Sequence, residues 1–376
     1  MNETIRTTKG RHWRTGDWIE IRYNDHHIVS TESIQPDAAI QTWLAPGLLD
    51  LQINGYGGID FQQDEISESD FIQATKALHR DGCPRFFLTL ITSPWPEMIR
   101  RLTRFKSIRD SNPRLKQSCV GWHIEGPFLS EEPGYCGAHS PACMEDPTSK
   151  HIRALRSAAG NDRVLLTLAP ERPGSLEAIE EARKLGIQVS LGHTNADSKT
   201  LQQAAKAGAA GFTHLGNACP QQLDRHDNLL FRAIDKGPWM TGIIPDMIHV
   251  SPTLFRLLHR LIPRDHIYYT TDAMSAAGAP PGPYTIGQME LEVGQDQIVR
   301  QPGKTNFAGS ALRPSQGIKR AANMLGVSWQ DVWEYFSETP ARWMQLPTGL
   351  APGSPSRFCK VEERASKELT IQVIEP

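Results

Sequence analysis

The chain predicts an α/β fold: a (β/α)8 TIM-type barrel with a small β domain formed from the N- and C-terminal segments. Three observations carry this. Eight short apolar runs alternate with helix-like segments through the middle of the chain. Polar and apolar residues alternate in strand fashion near both ends. Several apolar runs end in a carboxylate or an imidazole, as strands opening onto one shared face would. A doubly wound sheet is the competing α/β arrangement, and strand count alone does not separate the two.

Residues 11–44 read as short β segments; Asp17 to Tyr23 alternates as a half-buried strand does. The apolar runs follow at Trp43 to Ile53, Phe86 to Ile91, Val120 to Ile124, Val164 to Leu168, Ile187 to Leu191, Gly211 to Leu215, Met240 to Ile244 and Ile267 to Thr271. Ser67 is placed to cap a helix from Glu68 to His79, with Gly82 beyond its end. Ser175 to Leu185 sets Leu176, Ile179, Ala182 and Leu185 at three-residue spacing, and Gly186 is a stop. Asn195 to Ala207 repeats the pattern ahead of Gly208. Alternation returns in Glu368 to Ile374. The expected division is a small β domain from 1–44 plus 348–376, and a barrel from 45–347.

Composition removes several classes of function. Forty Lys and Arg stand against 42 Asp and Glu in 376 residues, a formal net charge of −2. A nucleic-acid binder usually carries a clear basic excess, so no nucleic-acid partner is expected. An anionic ligand must instead be met by a few placed groups. No run approaches the roughly 18 apolar residues of a membrane span, so no membrane partner is expected. Met1 to Gly10 is polar, unlike a secretory signal. The six cysteines form no C-x-x-C pair, which predicts reduced thiols in a cytoplasmic protein.

The functional reading rests on where polar residues fall. Glu125 ends one apolar run, His193 and His214 end two others, and Asp272 ends the last; Asp246 and His249 follow Ile244. In a parallel barrel these positions converge on one face. One carboxylate and two imidazoles make the ligand set of a catalytic metal with a position left open for water. Asp272 is then the proton carrier. His123 is read as structural, pointing away from that face. Glu171, also at a run's end, is read as ordering a loop or binding a neighbour, with a catalytic role as the alternative.

The stretches Pro46-Gly-Leu-Leu-Asp-Leu-Gln-Ile-Asn-Gly-Tyr-Gly-Gly58, His123-Ile-Glu-Gly-Pro-Phe128, Gly137-Ala-His139, Leu168-Ala-Pro-Glu171, Gly192-His193, Thr213-His-Leu-Gly-Asn-Ala218, Thr271-Asp-Ala273 and Ala308-Gly-Ser-Ala-Leu312 resemble, in order, the N-acetylglucosamine-6-phosphate deacetylases of the amidohydrolase superfamily. The resemblance implies hydrolysis of the N-acetyl group, with Glu125, His193 and His214 on the metal and Asp272 as general base and then acid. It implies that Ala138 and His139 meet the sugar and its acetyl group, His139 also stabilising the developing oxyanion. Asn217, Ala218, His249 and Arg225 would hold the sugar phosphate, with Phe307, Ala308 and Gly309 lining the pocket. Arg225 would reach across from a neighbouring subunit, implying a homodimer.

Two departures stand out. Gln52 and Asn54 occupy the places of a His-x-His pair, and amides are poorer Zn2+ ligands than imidazole. One divalent ion per chain is therefore expected, Zn2+ first, although Fe2+, Mn2+ and Co2+ accept the same ligands. Met247 replaces a glycine usual in the family's phosphate-side loop, which leaves that loop's shape open. So an N-acetylgalactosamine 6-phosphate deacetylase, or one for another acylated amino sugar, is the alternative within this fold. A non-catalytic scaffold is the alternative outside it; the presence of Glu125, His193, His214 and Asp272 together argues against that.

Overall fold

The computed structural model describes residues 4–37, 39, 41–303, 307–363 and 369–375. Eight parallel strands form one sheet, in spatial order Leu49–Ile53, Arg85–Ile91, Cys119–Glu125, Arg163–Leu168, Gln188–Leu191, Gly211–Phe212, Met240–Ile243 and Ile267–Tyr269. Each strand pairs with the next in sequence order. The first and last are brought together by a bridge between Ile53 and Ala273. Asp50 ties the same seam, its buried carboxylate accepting from the Thr270 hydroxyl and from the Thr271 hydroxyl and amide. The sheet thus closes into the expected barrel rather than an open doubly wound layer.

The helices follow the apolar periodicity, and most of the described α-helices start at a side-chain cap. Glu68–Arg80 starts at a capping box between Ser67 and Asp70 and buries Phe71, Ala74 and Leu78. Ser175–Lys184 turns Ala178, Ile179 and Ala182 inward, while Leu176 is only partly buried. Ser198–Ala207 begins three residues later than the pattern suggested, because Asp197 rather than Asn195 caps it.

The apolar run Trp43 to Ile53 splits in two. Trp43–Pro46 belongs to a six-stranded sheet with Leu369–Val373, Phe358–Glu363, Arg6–His12, Trp18–Tyr23 and Ile28–Ser33. Leu49–Ile53 opens the barrel. The chain crosses at Gly47, where a Cβ would come within 2.4 Å of Pro84 and 2.7 Å of the Arg357 carbonyl. This sheet joins strands from both chain ends, and the expected boundary at residue 44 falls inside Trp43–Pro46. Of the expected tail strand, Leu369–Val373 is seen, and Glu368 lies outside the described residues.

A three-stranded antiparallel sheet, Gly282–Ile286, Met289–Val293 and Val299–Arg300, was not anticipated. Its Ile286, Leu291 and Val293 pack with Met274, Ala308 and Ala311, and Ala138 joins that cluster. The layer therefore adjoins the loops that follow the barrel strands. No described helix is long and apolar enough to cross a membrane.

Candidate metal centre

Inside the barrel the floor is polar. His123 Nε2 meets Thr167 Oγ1 at 2.8 Å, Thr167 meets Thr213 at 2.7 Å, and Thr213 donates to Ser190 at 2.7 Å. This corrects one sequence expectation. Residues 121, 123 and 125 lie on one face of their strand, so His123 points the same way as Glu125 and not away from it. What separates the two is depth along the strand. Burial pushes the His123 imidazole down to about 4, so it packs as a neutral group.

Above this floor three side chains converge. Glu125 Oε1 lies 2.9 Å from His214 Nε2 and 3.4 Å from His193 Nε2. The three ligating atoms all lie within 4.8 Å of one another, and all three residues are buried. The Tyr135 carbonyl accepts from His193 Nδ1 at 2.9 Å, which leaves the lone pair on Nε2, facing the cluster. Burial works against the Glu125 charge, but hydrogen bonds from His193 and His214 hold its carboxyl well below the usual range. His214 is raised: burial lowers it, and the hydrogen bond and charge of Glu125 more than reverse that. One carboxylate and two imidazoles, compact and dehydrated, fit a divalent cation with one position open.

Asp272 is half-buried beside them, and desolvation of its carboxyl plus the Glu125 charge push it up to about 6. His193, His214 and Asp272 all take positive φ, at 50°, 31° and 52°. Non-glycine residues rarely adopt this conformation, and it clusters where side chains must be re-aimed at a strand end. His139 Nδ1 meets Thr92 Oγ1 at 2.8 Å, and its Nε2 faces Glu125 Oε2 at 3.7 Å. Burial pushes the His139 imidazole down to about 3, so it is neutral.

Gln52 and Asn54 have a role that sequence reasoning missed. Gln52 Nε2 donates to Glu125 Oε1 at 3.0 Å, and Asn54 Nδ2 donates to Asp272 Oδ1 at 2.7 Å. The two amides hold the carboxylates from positions where imidazoles would compete for a metal. Thr92 and Tyr135 were also unforeseen; neither carries a motif, and each reaches the site through a long-range contact. Glu171 orders the loop after His193, accepting from the Thr194 hydroxyl and, at 2.8 Å, from the Asn195 amide.

In the loop after Met240–Ile243, Asp246 Oδ2 accepts from His249 Nδ1 at 2.6 Å, and the His249 ring lies 5.4 Å from that of Phe307. Asn217 folds back on the His214 carbonyl, and Ala218 takes φ 50°. Gly309 sits against Met274, and the Ser310 amide donates to the Asp272 carbonyl at 3.0 Å, so the Ala308–Gly309 segment is stitched to the Asp272 loop. Arg225 is exposed and makes no hydrogen bond or ion pair with any described residue of its own chain. Met247 holds the left-handed conformation a glycine would favour, at φ 64° and half exposed. Met247→Gly is therefore expected to stabilise the chain by up to about 1 kcal/mol, read as a rise in the thermal midpoint. A lower midpoint would show that the Met247 side chain has contacts worth more than the strain.

A closed parallel barrel with a buried carboxylate and two imidazoles at its strand ends defines the class: a metal-dependent hydrolase of the amidohydrolase type. The chain is 33% identical over 312 residues to the N-acetylglucosamine-6-phosphate deacetylase of Danio rerio, covering 81% of this chain and 76% of that one. It belongs to the N-acetylglucosamine-6-phosphate deacetylase family. The Bacillus subtilis deacetylase is 29% identical over 333 residues, covering 86% and 83% of the two chains. A mutant N-acetyl-D-glucosamine-6-phosphate deacetylase from Mycobacterium smegmatis, solved with N-acetyl-D-glucosamine-6-phosphate, superposes with a TM-score of 0.83 at 27% identity over 95% of this chain and 93% of that one. No protein-family profile matches the chain.

Proposed function

We propose that this enzyme hydrolyses the N-acetyl group of N-acetylglucosamine 6-phosphate to give glucosamine 6-phosphate and acetate. The observation that carries the reading is the convergence of Glu125, His193 and His214 beside Asp272 in a chain of this family. Glu125, His193 and His214 would hold one divalent cation, Zn2+ first among the ions this donor set accepts. Bound there, it supplies Lewis-acid polarisation and a water nucleophile at neutral pH.

The chain's own groups do the rest. Asp272 takes a proton from the attacking water; Asn54 occupies its Oδ1 and so leaves Oδ2 for the transfer. The contact of His139 Nδ1 with Thr92 Oγ1 orients the imidazole with Nε2 toward Glu125, and in the tautomer that carries its proton on Nε2 the ring donates to the developing oxyanion. Asp272 then delivers its proton to the amine nitrogen as the C–N bond breaks.

Ala138, Phe307, Ala308 and Gly309 line the sugar pocket, and Asn217, Ala218 and His249 receive the phosphate. Asp246 fixes His249 with Nε2 outward. Arg225, exposed and unengaged within its own chain, serves the site of a second copy in a homodimer. The six free cysteines fit a cytoplasmic setting.

Acetate release from both N-acetylhexosamine 6-phosphates and their unphosphorylated forms tests the reading. The gluco phosphate is expected to be turned over fastest. His249→Ala is expected to raise its KM about 10–100-fold, the worth of a charge-assisted hydrogen bond, and to leave the unphosphorylated sugar unchanged. Equal rates with and without phosphate would remove the role given to His249 and Arg225; preference for the galacto epimer would favour the alternative substrate.

A further inference from the structure

At the opposite end of the barrel lies a cavity of about 220 Å3, bounded by His26, Arg85, Gln117, Val120, Pro347 and Arg357, among others. Arg85 and Val120 stand at the N-terminal ends of their strands, and Arg357 immediately precedes the six-stranded sheet's Phe358–Glu363. About 20 Å of strand therefore separates this cavity from the metal centre.

Two guanidinium groups are buried here, Arg85 at 4% exposure and Arg357 at 8%. Neither has a carboxylate within 4.0 Å among the described residues. Arg85 Nη1 donates to the Pro347 carbonyl, and Arg357 Nη1 to the Arg114 carbonyl and the Ser118 hydroxyl. The Nε atoms of both are buried with no acceptor. Glu375 acts on Arg357 through space, but its Oε1 is engaged by His79 at 2.6 Å. Burial alone pulls the Arg85 guanidinium down to about 10. Two desolvated positive charges beside an open cavity have no carboxylate in contact among the described residues, and buried ions require such a partner.

We propose that this cavity, with Arg85 and Arg357 in its lining, binds a small dianionic oxyanion, inorganic phosphate or a phosphate monoester. Two guanidinium groups match the charge of such a ligand, and a planar guanidinium fork can take two oxygens of the tetrahedral phosphate at once. Val120, Leu346, Pro347 and Pro355 give the cavity an apolar wall against which the carbon part of a monoester can lie.

Isothermal titration of the metal-loaded, full-length protein with inorganic phosphate and with propyl phosphate tests this. A His249→Ala background weakens the site proposed for the substrate's phosphate about 10–100-fold, which separates the two sites in the titration. One site per chain is expected to remain there. Arg357→Gln is expected to weaken it at least tenfold, and Val120→Phe, which fills the cavity and leaves the charges, to abolish it; both are expected to keep normal turnover. Should Arg357→Gln fail to fold, Val120→Phe decides. Tighter binding of propyl phosphate assigns the site to monoesters, and tighter binding of phosphate assigns it to the free ion. Absence of binding in the His249→Ala protein, or an isotherm unchanged by Val120→Phe, overturns the proposal.

Discussion

Asp272→Asn is expected to lower kcat by about 10^3-fold or more while one cation stays bound and KM changes little. The magnitude follows because general acid–base catalysis supplies about 10^2–10^4-fold, and here one carboxylate serves as base and then as acid. The geometry survives the change: an amide can still offer its oxygen to Asn54 Nδ2, the partner that now lies 2.7 Å from Asp272 Oδ1. What is lost is the ability to take a proton. The pH dependence has a definite sign. Burial and the Glu125 charge raise the Asp272 carboxyl to about 6, and a bound cation lowers it, so kcat should fall as pH drops through a value at or below about 6. That acid limb should vanish in Asp272→Asn. Near-normal turnover in the variant would remove Asp272 from the reaction.

Glu125→Gln should strip the metal. The wild-type protein is expected to hold about one tightly bound divalent ion per chain, because Gln52 and Asn54 present donor hydrogens toward the two carboxylates. Glu125 Oε1 is the atom on which His193, His214 and Gln52 all converge. Replacing its charge by an amide removes the only anionic ligand of the cluster. Loss of a second-layer partner alone costs about 10–100-fold in metal affinity, so loss of this ligand should cost at least about a hundredfold. Elemental analysis after dialysis should find well under one ion per chain, with turnover falling in proportion and recovering partly at high added metal. One retained ion with full activity would exclude Glu125 from the centre, and two tight ions in the wild type would contradict the reading of Gln52 and Asn54.

Much of this arrangement is legible in the linear chain. Glu125, His193, His214 and Asp272 each end an apolar run, and a parallel barrel delivers all such positions to one face whatever their separation in sequence. The resemblance supplied His139 and the phosphate-side residues, which no periodicity marks. The orientation of His123 was misjudged although the period-two rule contained the answer, since 123 and 125 must share a face. The three-stranded layer at 282–300 was missed although Met289 to Val293 alternates apolar and polar residues; its partners Gly282–Ile286 and Val299–Arg300 are short and broken by glycine, proline or polar residues.

By itself, then, the sequence determined the barrel, the strand-end cluster and the family, because each depends on local pattern repeated in order along the chain. Only the tertiary structure decided what holds those groups in place. Gln52 with Glu125, Asn54 with Asp272, Thr92 with His139 and Tyr135 with His193 pair residues 73, 218, 47 and 58 positions apart. Arg85 and Arg357 likewise meet at one cavity only because the six-stranded sheet returns the chain's end to the foot of the barrel. Such contacts are set by which strands and loops become neighbours in space, and no local propensity encodes them.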